Sequence, residues 1–218
     1  HRTLTFHLAK TTQARVYVPD YRLAPEHPFP AGIDDCLLSY QWLLSQGYHS
    51  ENITLAGDSA GAGLVMATAQ RIRELNIPAA CGLVLISPWS DLTLTNLGEV
   101  NDKLDPLLRW SNLRAGVKAY LQGQDPAQPL ASSALANLNQ MPPMLIQVGS
   151  EEILLSDAKK LHQQAQKYQN DCTLTVYQDG WHVFQLQAGL LDMSDRAINE
   201  IDAFISRNMA KANRLTQQ

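Results

Sequence analysis

Cysteine is scarce in this 218-residue chain, and the three present, Cys36, Cys81 and Cys172, are far apart and odd in number. They offer neither a disulfide framework nor a Cys-x-x-Cys site, and two of them sit inside apolar patterns, so they read as reduced thiols in a cytoplasmic protein. No His-x-x-x-His spacing is present either, and no metal is expected. The absence of a glycine-rich phosphate loop argues against a nucleotide, and no cofactor of any kind is expected. Positive charge is not in excess: the net charge of −4 leaves no electrostatic footprint for nucleic acid. No apolar run approaches the roughly 18 residues needed to span a bilayer, so no membrane partner is expected. With hydrophobic residues at 45% and charged residues at 17%, disorder is excluded as well. An initiator methionine and a signal peptide are also missing: His1 opens directly into a helix-like stretch, Arg2 to Thr11.

What is present suits a single α/β domain over residues 1–218, with room for a small insertion. Five short runs read as strands: Ala14 to Val18, Asn52 to Ala56, Gly82 to Ile86, Met144 to Val148 and Cys172 to Tyr177. Between them lie apolar stripes of helical period. Ile33, Cys36, Leu37, Tyr40 and Leu44 form one, with Pro30 near its start and Gly47 as its C′ residue; Val65, Ala69, Ile72 and Leu75 form another, closed by Pro78. Ala158, Leu161, Ala165 and Tyr168 follow Ser156 as an expected N-cap, and Ala197, Ile201, Phe204 and Ile205 follow Ser194. Strand and helix in alternation predict a mostly parallel sheet with helices on both faces. From Trp89 to Met141 the alternation stops. A structureless loop of that length is uncommon, so residues 89–141 are expected to form a mostly helical insertion at the C-terminal edge of the sheet.

Gly57-Asp58-Ser59-Ala60-Gly61 stands between a strand pattern and a helix pattern. A serine at such a turn projects its hydroxyl, and Gly57 and Gly61 are expected where a Cβ would clash with the neighbouring strand or helix. The N–H of Ala60 and the positive end of the following helix would then face a developing oxyanion. A nucleophilic serine needs a base. Of the six histidines, His1, His7, His49 and His162 lie on or beside predicted surface helices, and His27 sits in a turn-rich stretch that suits a structural hydrogen bond. His182 follows Gly180-Trp181 after the last strand pattern, at the sheet edge where it can reach Ser59. The bland reading of it is a buried structural histidine among Trp181, Val183 and Phe184. A carboxylate should complete the set; Glu151, Glu152 and Asp157 all follow the strand Met144 to Val148, and spacing leaves the choice among them open.

With these residues assembled, the chain resembles the bacterial hormone-sensitive-lipase group of α/β-hydrolase esterases. The resemblance is carried by Asp20-Tyr21-Arg22-Leu23-Ala24-Pro25-Glu26-His27-Pro28-Phe29-Pro30-Ala31, by the Gly57 to Gly61 motif with Ala62 where the family has a further glycine, by Val148 to Leu155, and by His182-Val183-Phe184. It implies an α/β-hydrolase fold with the insertion before the acid-bearing strand, and, with Leu154 on the family's acid-loop leucine, it puts Glu152 in the acid position. It further implies a serine carboxylesterase acting on small esters of short to medium acyl chain, with Ser59, His182 and Glu152 as the catalytic set. Trp89, Val183 and Phe184 are expected near the substrate, and a homodimer through the sheet edge is a further expectation. The family's His-Gly-Gly-Gly oxyanion motif does not occur. If Arg2 to Thr11 is the family's first helix, that motif and the first three strands belong upstream of His1, and the 218-residue chain is expected to be weakly active or inactive. A second reading is a ligand-binding member without turnover, as in the plant gibberellin receptors; the presence of Ser59, an acid and His182 together favours the enzyme.

Overall fold

The leucine- and valine-rich runs form four strands: β1 (Thr54–Asp58), β2 (Gly82–Ile86), β3 (Met144–Gly149) and β4 (Cys172–Tyr177). The structure is a computed structural model, and it describes residues 1–95 and 105–215. The strands make one parallel sheet in the order β1-β2-β3-β4. Six helices accompany them among the described residues: α1 (Arg2–Thr12), α2 (Ala31–Ser45), α3 (Ala60–Glu74), α4 (Trp110–Leu121), α5 (Leu155–Lys167) and α6 (Asp192–Leu215).

Side-chain alternation in the two central strands separates the core into two layers. Leu83, Leu85, Met144, Ile146 and Val148 pack against Ala62, Val65, Met66 and Ala69 of α3 and Ala158, Leu161 and Ala165 of α5. Val84, Ile86 and Leu145 face the other way, onto Leu4 of α1 and Ile198, Ile201 and Phe204 of α6. Every residue of β2 and β3 is buried, which explains why both read as continuous apolar runs. α2 lies outside α3, joined to it through Ile33 with Leu64 and Ala67 and through Leu37 and Tyr40 with Ile72. It begins just after Pro30 and stops before Gly47, whose φ of 85° is one a side chain rarely adopts.

Three expectations need correction. Ala14 to Val18 has no strand hydrogen bonds: β1 pairs with β2 alone among the described residues, and Val16, Tyr17 and Val18 are exposed. β-propensity makes no strand without a partner; the segment is held instead by Tyr17 and Arg15 on the Tyr48 hydroxyl and by the Tyr17 ring against Trp42. The insertion is not mostly helical. Residues 96–104 lie outside the described residues; the rest of 89–141 holds α4, a short 3-10 turn at Ser133–Leu135, and loops. Here side chains replace helical hydrogen bonds: Asp105 accepts the N–H groups of Leu107 and Leu108, Asp125 that of Ala127, and Ser132 that of Leu92. Finally, Ser156 does not cap its helix. α5 and α6 begin earlier, at Leu155 and Asp192, and the Ser194 hydroxyl is spent on the carbonyl of Phe184.

The register places Asp58 beside Ile86 and Gly149 beside Tyr177. The loops leaving the C-terminal ends of all four strands therefore emerge along one edge of the sheet, where the chemistry-bearing side chains collect.

Candidate active site

Ser59 is the single residue between β1 and α3, and its backbone is strained, with φ 55° and ψ −122°. Its N–H donates to the carbonyl of Ile86 at 2.9 Å, and its own carbonyl accepts from Ala62 and Trp89 at 3.1 Å each. The strain is thus locked by the neighbouring strand and by the loop that follows it. Gly57 is required by close approach: a Cβ there would lie 2.4 Å from the carbonyl oxygen of Gly61. Gly61 is not under the same constraint, since the nearest atom to its Cβ would be Asp58 Oδ1 at 4.0 Å; the expected clash is absent because the helix has already turned away. The constraint falls on Gly63, where a Cβ would meet the carbonyl oxygen of Trp89 at 2.9 Å. Ala60 is exposed and opens α3, so its N–H has no carbonyl one turn earlier in the helix to bind. Asp58 lies beside it, its carboxyl pushed up by burial, with Oδ2 2.9 Å from His1 Nε2.

The loop after β4 carries His182, which is 5% exposed. Its Nε2 stands 3.0 Å from Ser59 Oγ. On the other side, Nδ1 lies 3.7 Å from Oε1 of Glu152, a residue with no exposed surface. Two loops meet here backbone to backbone: Glu151 N–H donates to the Gly180 carbonyl at 2.9 Å, and a Cβ on Gly149 would sit 2.2 Å from that same oxygen. The remaining Glu152 oxygen, Oε2, accepts from the Ser87 hydroxyl at 2.7 Å and from the N–H of Gly149 at 3.2 Å.

The other two carboxylates are placed elsewhere. Glu151 accepts from the Ser150 hydroxyl at 3.0 Å. Asp157, in the first turn of α5, accepts the N–H groups of Ser90 at 3.0 Å and Asp91 at 2.9 Å, and burial pushes its carboxyl up to about 7. It clamps the loop after β2, beside an ion pair between Asp91 and Lys160.

Two groups of this site escaped the sequence reading. Ser87 follows β2 as Ser59 follows β1, which was the available signal. Asp105, which precedes Pro106 in the insertion, accepts the N–H of Ile153 on its Oδ2 at 3.2 Å and so holds the segment carrying Glu152. Of the three residues expected near the substrate, Trp89 lines a small cleft with Leu94, Trp110, Leu113 and Leu154 that neither Ser59 nor His182 borders. Val183 and Phe184 do not line it. Val183 packs in the layer between the sheet, α1 and α6, and Phe184, fully buried, stacks on Tyr177 with centroids 4.9 Å apart. The positive φ of Val183, 51°, turns the chain inward after His182. Among the described residues no three His, Cys, Asp or Glu side chains cluster as metal ligands, and no helix is long and apolar enough to cross a membrane. The cysteines are free, and burial pushes the Cys36 thiol up to about 11 and that of Cys172 to about 12.

This arrangement can be compared with known proteins. An acetyl-hydrolase of Streptomyces hygroscopicus is 41% identical over 206 residues, covering 94% of this chain and 69% of that protein. An esterase of Acinetobacter venetianus is 39% identical over 206 residues, covering 94% and 68%. The crystal structure of an esterase from the bacterial hormone-sensitive lipase family superposes with a TM-score of 0.93 at 39% identity, over 96% of this chain and 71% of that one. Residues 1–186 match the alpha/beta hydrolase fold family. With the strand–serine–helix turn, the parallel sheet and these likenesses together, the chain belongs to the alpha/beta hydrolase fold family, within its bacterial hormone-sensitive-lipase group.

Proposed function

We propose that this protein is a serine carboxylesterase that hydrolyses small esters of short to medium acyl chain through an acyl-enzyme. The observation that carries the reading is the 3.0 Å approach of His182 Nε2 to Ser59 Oγ, with Glu152 on the far side of the ring. When the Nδ1 hydrogen faces Glu152, the Nε2 lone pair accepts the Ser59 hydroxyl. Attack on the ester carbonyl then transfers the serine proton to Nε2, and the imidazolium, beside the Glu152 carboxylate, returns it to the leaving alcohol. Water repeats the sequence on the acyl-enzyme, with His182 first base and then acid. Ala60 N–H and the N-terminus of α3 face the oxyanion, each such donor being worth about 3 kcal/mol in the transition state.

The esterase and acetyl-hydrolase names of the relatives favour turnover over ligand binding alone. The catalytic steps use side chains and water only, so the reading asks for no cofactor, nucleic acid or membrane. Free thiols, buried at Cys81 and half-buried at Cys36 and Cys172, suit a cytoplasmic setting. We take residues 1–218 as one domain in which residues 89–141 are an insertion, and a homodimer through the outer edge of β4 as its assembly.

The test is hydrolysis of p-nitrophenyl acetate, butyrate and palmitate by the wild-type chain and by Ser59→Ala. The acetate and butyrate should be cleaved, the palmitate should not, and Ser59→Ala should be silent on all three. Cleavage that survives in Ser59→Ala, or a preference for palmitate, would overturn the reading.

A further inference from the structure

We propose that Ser87 is a positioning residue that aims the Glu152 carboxylate at His182, a role that rests on the reading of Glu152 as the partner of His182. One buried hydroxyl joins three segments that are distant in sequence. Ser87 Oγ donates to Glu152 Oε2 at 2.7 Å and accepts the N–H of Val183, the residue after His182, at 3.0 Å. The donor direction is fixed, because an ionised carboxylate can only accept and a backbone N–H can only donate. By occupying Oε2, the hydroxyl leaves Oε1, which has no other partner among the described residues, as the oxygen that faces Nδ1.

The backbone of Ser87 supports a role for the side chain itself. Its φ is 47°, a conformation that is strained for any residue with a side chain. Glycine would relieve that strain, but it would leave Val183 N–H without its acceptor and Glu152 without its hydroxyl donor. In the absence of the hydroxyl, the freed N–H of Val183 competes with the imidazole for the same carboxylate, and the carboxylate turns toward it. The imidazolium then loses part of its stabilisation. The acidic groups facing the His182 ring are Glu152 on the loop after β3 and Asp58 at the end of β1, the latter paired with His1 at the head of α1. Asp58 and His1 are untouched by a change at Ser87.

The test measures how fast a fluorophosphonate labels Ser59, as a function of pH, in the wild type, Ser87→Gly, Ser87→Ala, Ser87→Cys and Glu152→Gln, with thermal melts alongside. Ser87→Gly should melt no lower than Ser87→Ala, since it sheds backbone strain, yet both should label about tenfold or more slowly than wild type. In both, the acidic limb of the profile should move down by about half a pH unit. Ser87→Cys, with a weak S–H donor, should fall between them and wild type; if Ser87→Gly does not fold, Ser87→Cys is judged by the same two readouts. A folded Ser87→Gly with the wild-type rate, or with a slower rate and an unmoved limb, would overturn the proposal. Glu152→Gln separates the two layers of the argument: a wild-type labelling rate there sinks the assignment of Glu152 itself, whereas a crippled Glu152→Gln beside an unaffected Ser87→Gly sinks only the role of Ser87.

Discussion

Nδ1 of His182 stands 3.7 Å from Oε1 of Glu152, and neither buried atom has another hydrogen-bond partner among the described residues. The separation is beyond hydrogen-bond reach, so in this state the carboxylate acts on the ring mainly as a nearby charge. That attraction grows when the ring takes up the serine proton, and in a dry site it is weakly screened. A contraction of less than about 1 Å would bring the pair to ordinary hydrogen-bond length, as catalytic contacts commonly tighten once substrate is bound.

Glu152→Gln should therefore lower kcat by about a hundredfold or more, because an amide cannot stabilise an imidazolium. Glu151→Gln should change kcat by less than about threefold, since that carboxylate is engaged with Ser150. Steady-state kinetics on p-nitrophenyl butyrate decide the matter, and a crippled Glu151→Gln beside a healthy Glu152→Gln would reverse the assignment.

Ser59 should be the only serine labelled stoichiometrically by an organophosphonate, because it stands at the N-terminus of α3 with an imidazole nitrogen 3.0 Å from its hydroxyl. His182→Ala should abolish turnover and leave the melting temperature nearly unchanged. Peptide mapping that put the label on Ser87, Ser90 or Ser150 would contradict this.

Asp157 should make the folded state less stable as the pH rises. Burial raises its carboxyl to about 7, whereas in the unfolded chain it ionises near pH 4, at about the usual aspartate value. Between those values the folded state holds a proton that the unfolded state has released. The stabilisation is complete below about pH 4 and is lost as the pH climbs to 7. Asp157→Asn cannot titrate, so its unfolding free energy should gain on the wild type by about 1 to 3 kcal/mol between pH 4.5 and 7.5. Urea denaturation curves for the two proteins that ran parallel across this range would exclude it.

The glycines of the elbow should separate by position. Gly57→Ala forces a Cβ to 2.4 Å from a backbone oxygen and should cost about 2 to 3 kcal/mol. In Gly61→Ala the new Cβ meets nothing closer than 4.0 Å, and it should be neutral or stabilising by up to about 1 kcal/mol, because alanine is the better helix residue. Equal losses in chemical denaturation would mean that the close approach at Gly57 does not govern folding of the turn.

What the sequence determined by itself is what local rules govern. Alternating and continuous apolar runs marked β1 to β4, stripes of period 3.6 marked α2, α3, α5 and α6, and the Gly57 to Gly61 motif between a strand and a helix marked the serine, because each depends on residues within a turn or two of one another. His182 was legible for a related reason: a histidine just after the last strand must emerge at the edge of a parallel sheet where the other loops emerge. Spacing leaves Glu152 open beside Glu151 and Asp157, and only the resemblance over Val148 to Leu155 points to it before the fold sets it against the ring; tertiary structure alone decided that Gly63 and not Gly61 is pressed against backbone, and that Val183 and Phe184 turn into the core. It also decided that Ala14 to Val18, for all its β-branched character, is no strand. These outcomes rest on partners far away in the chain: Ser59 and His182 are 123 residues apart, and Ser87 and Glu152 are 65. Propensity and spacing describe what a segment can do alone, whereas a buried carboxylate is oriented, and a strand is made, by whichever distant group the packed sheet brings against it.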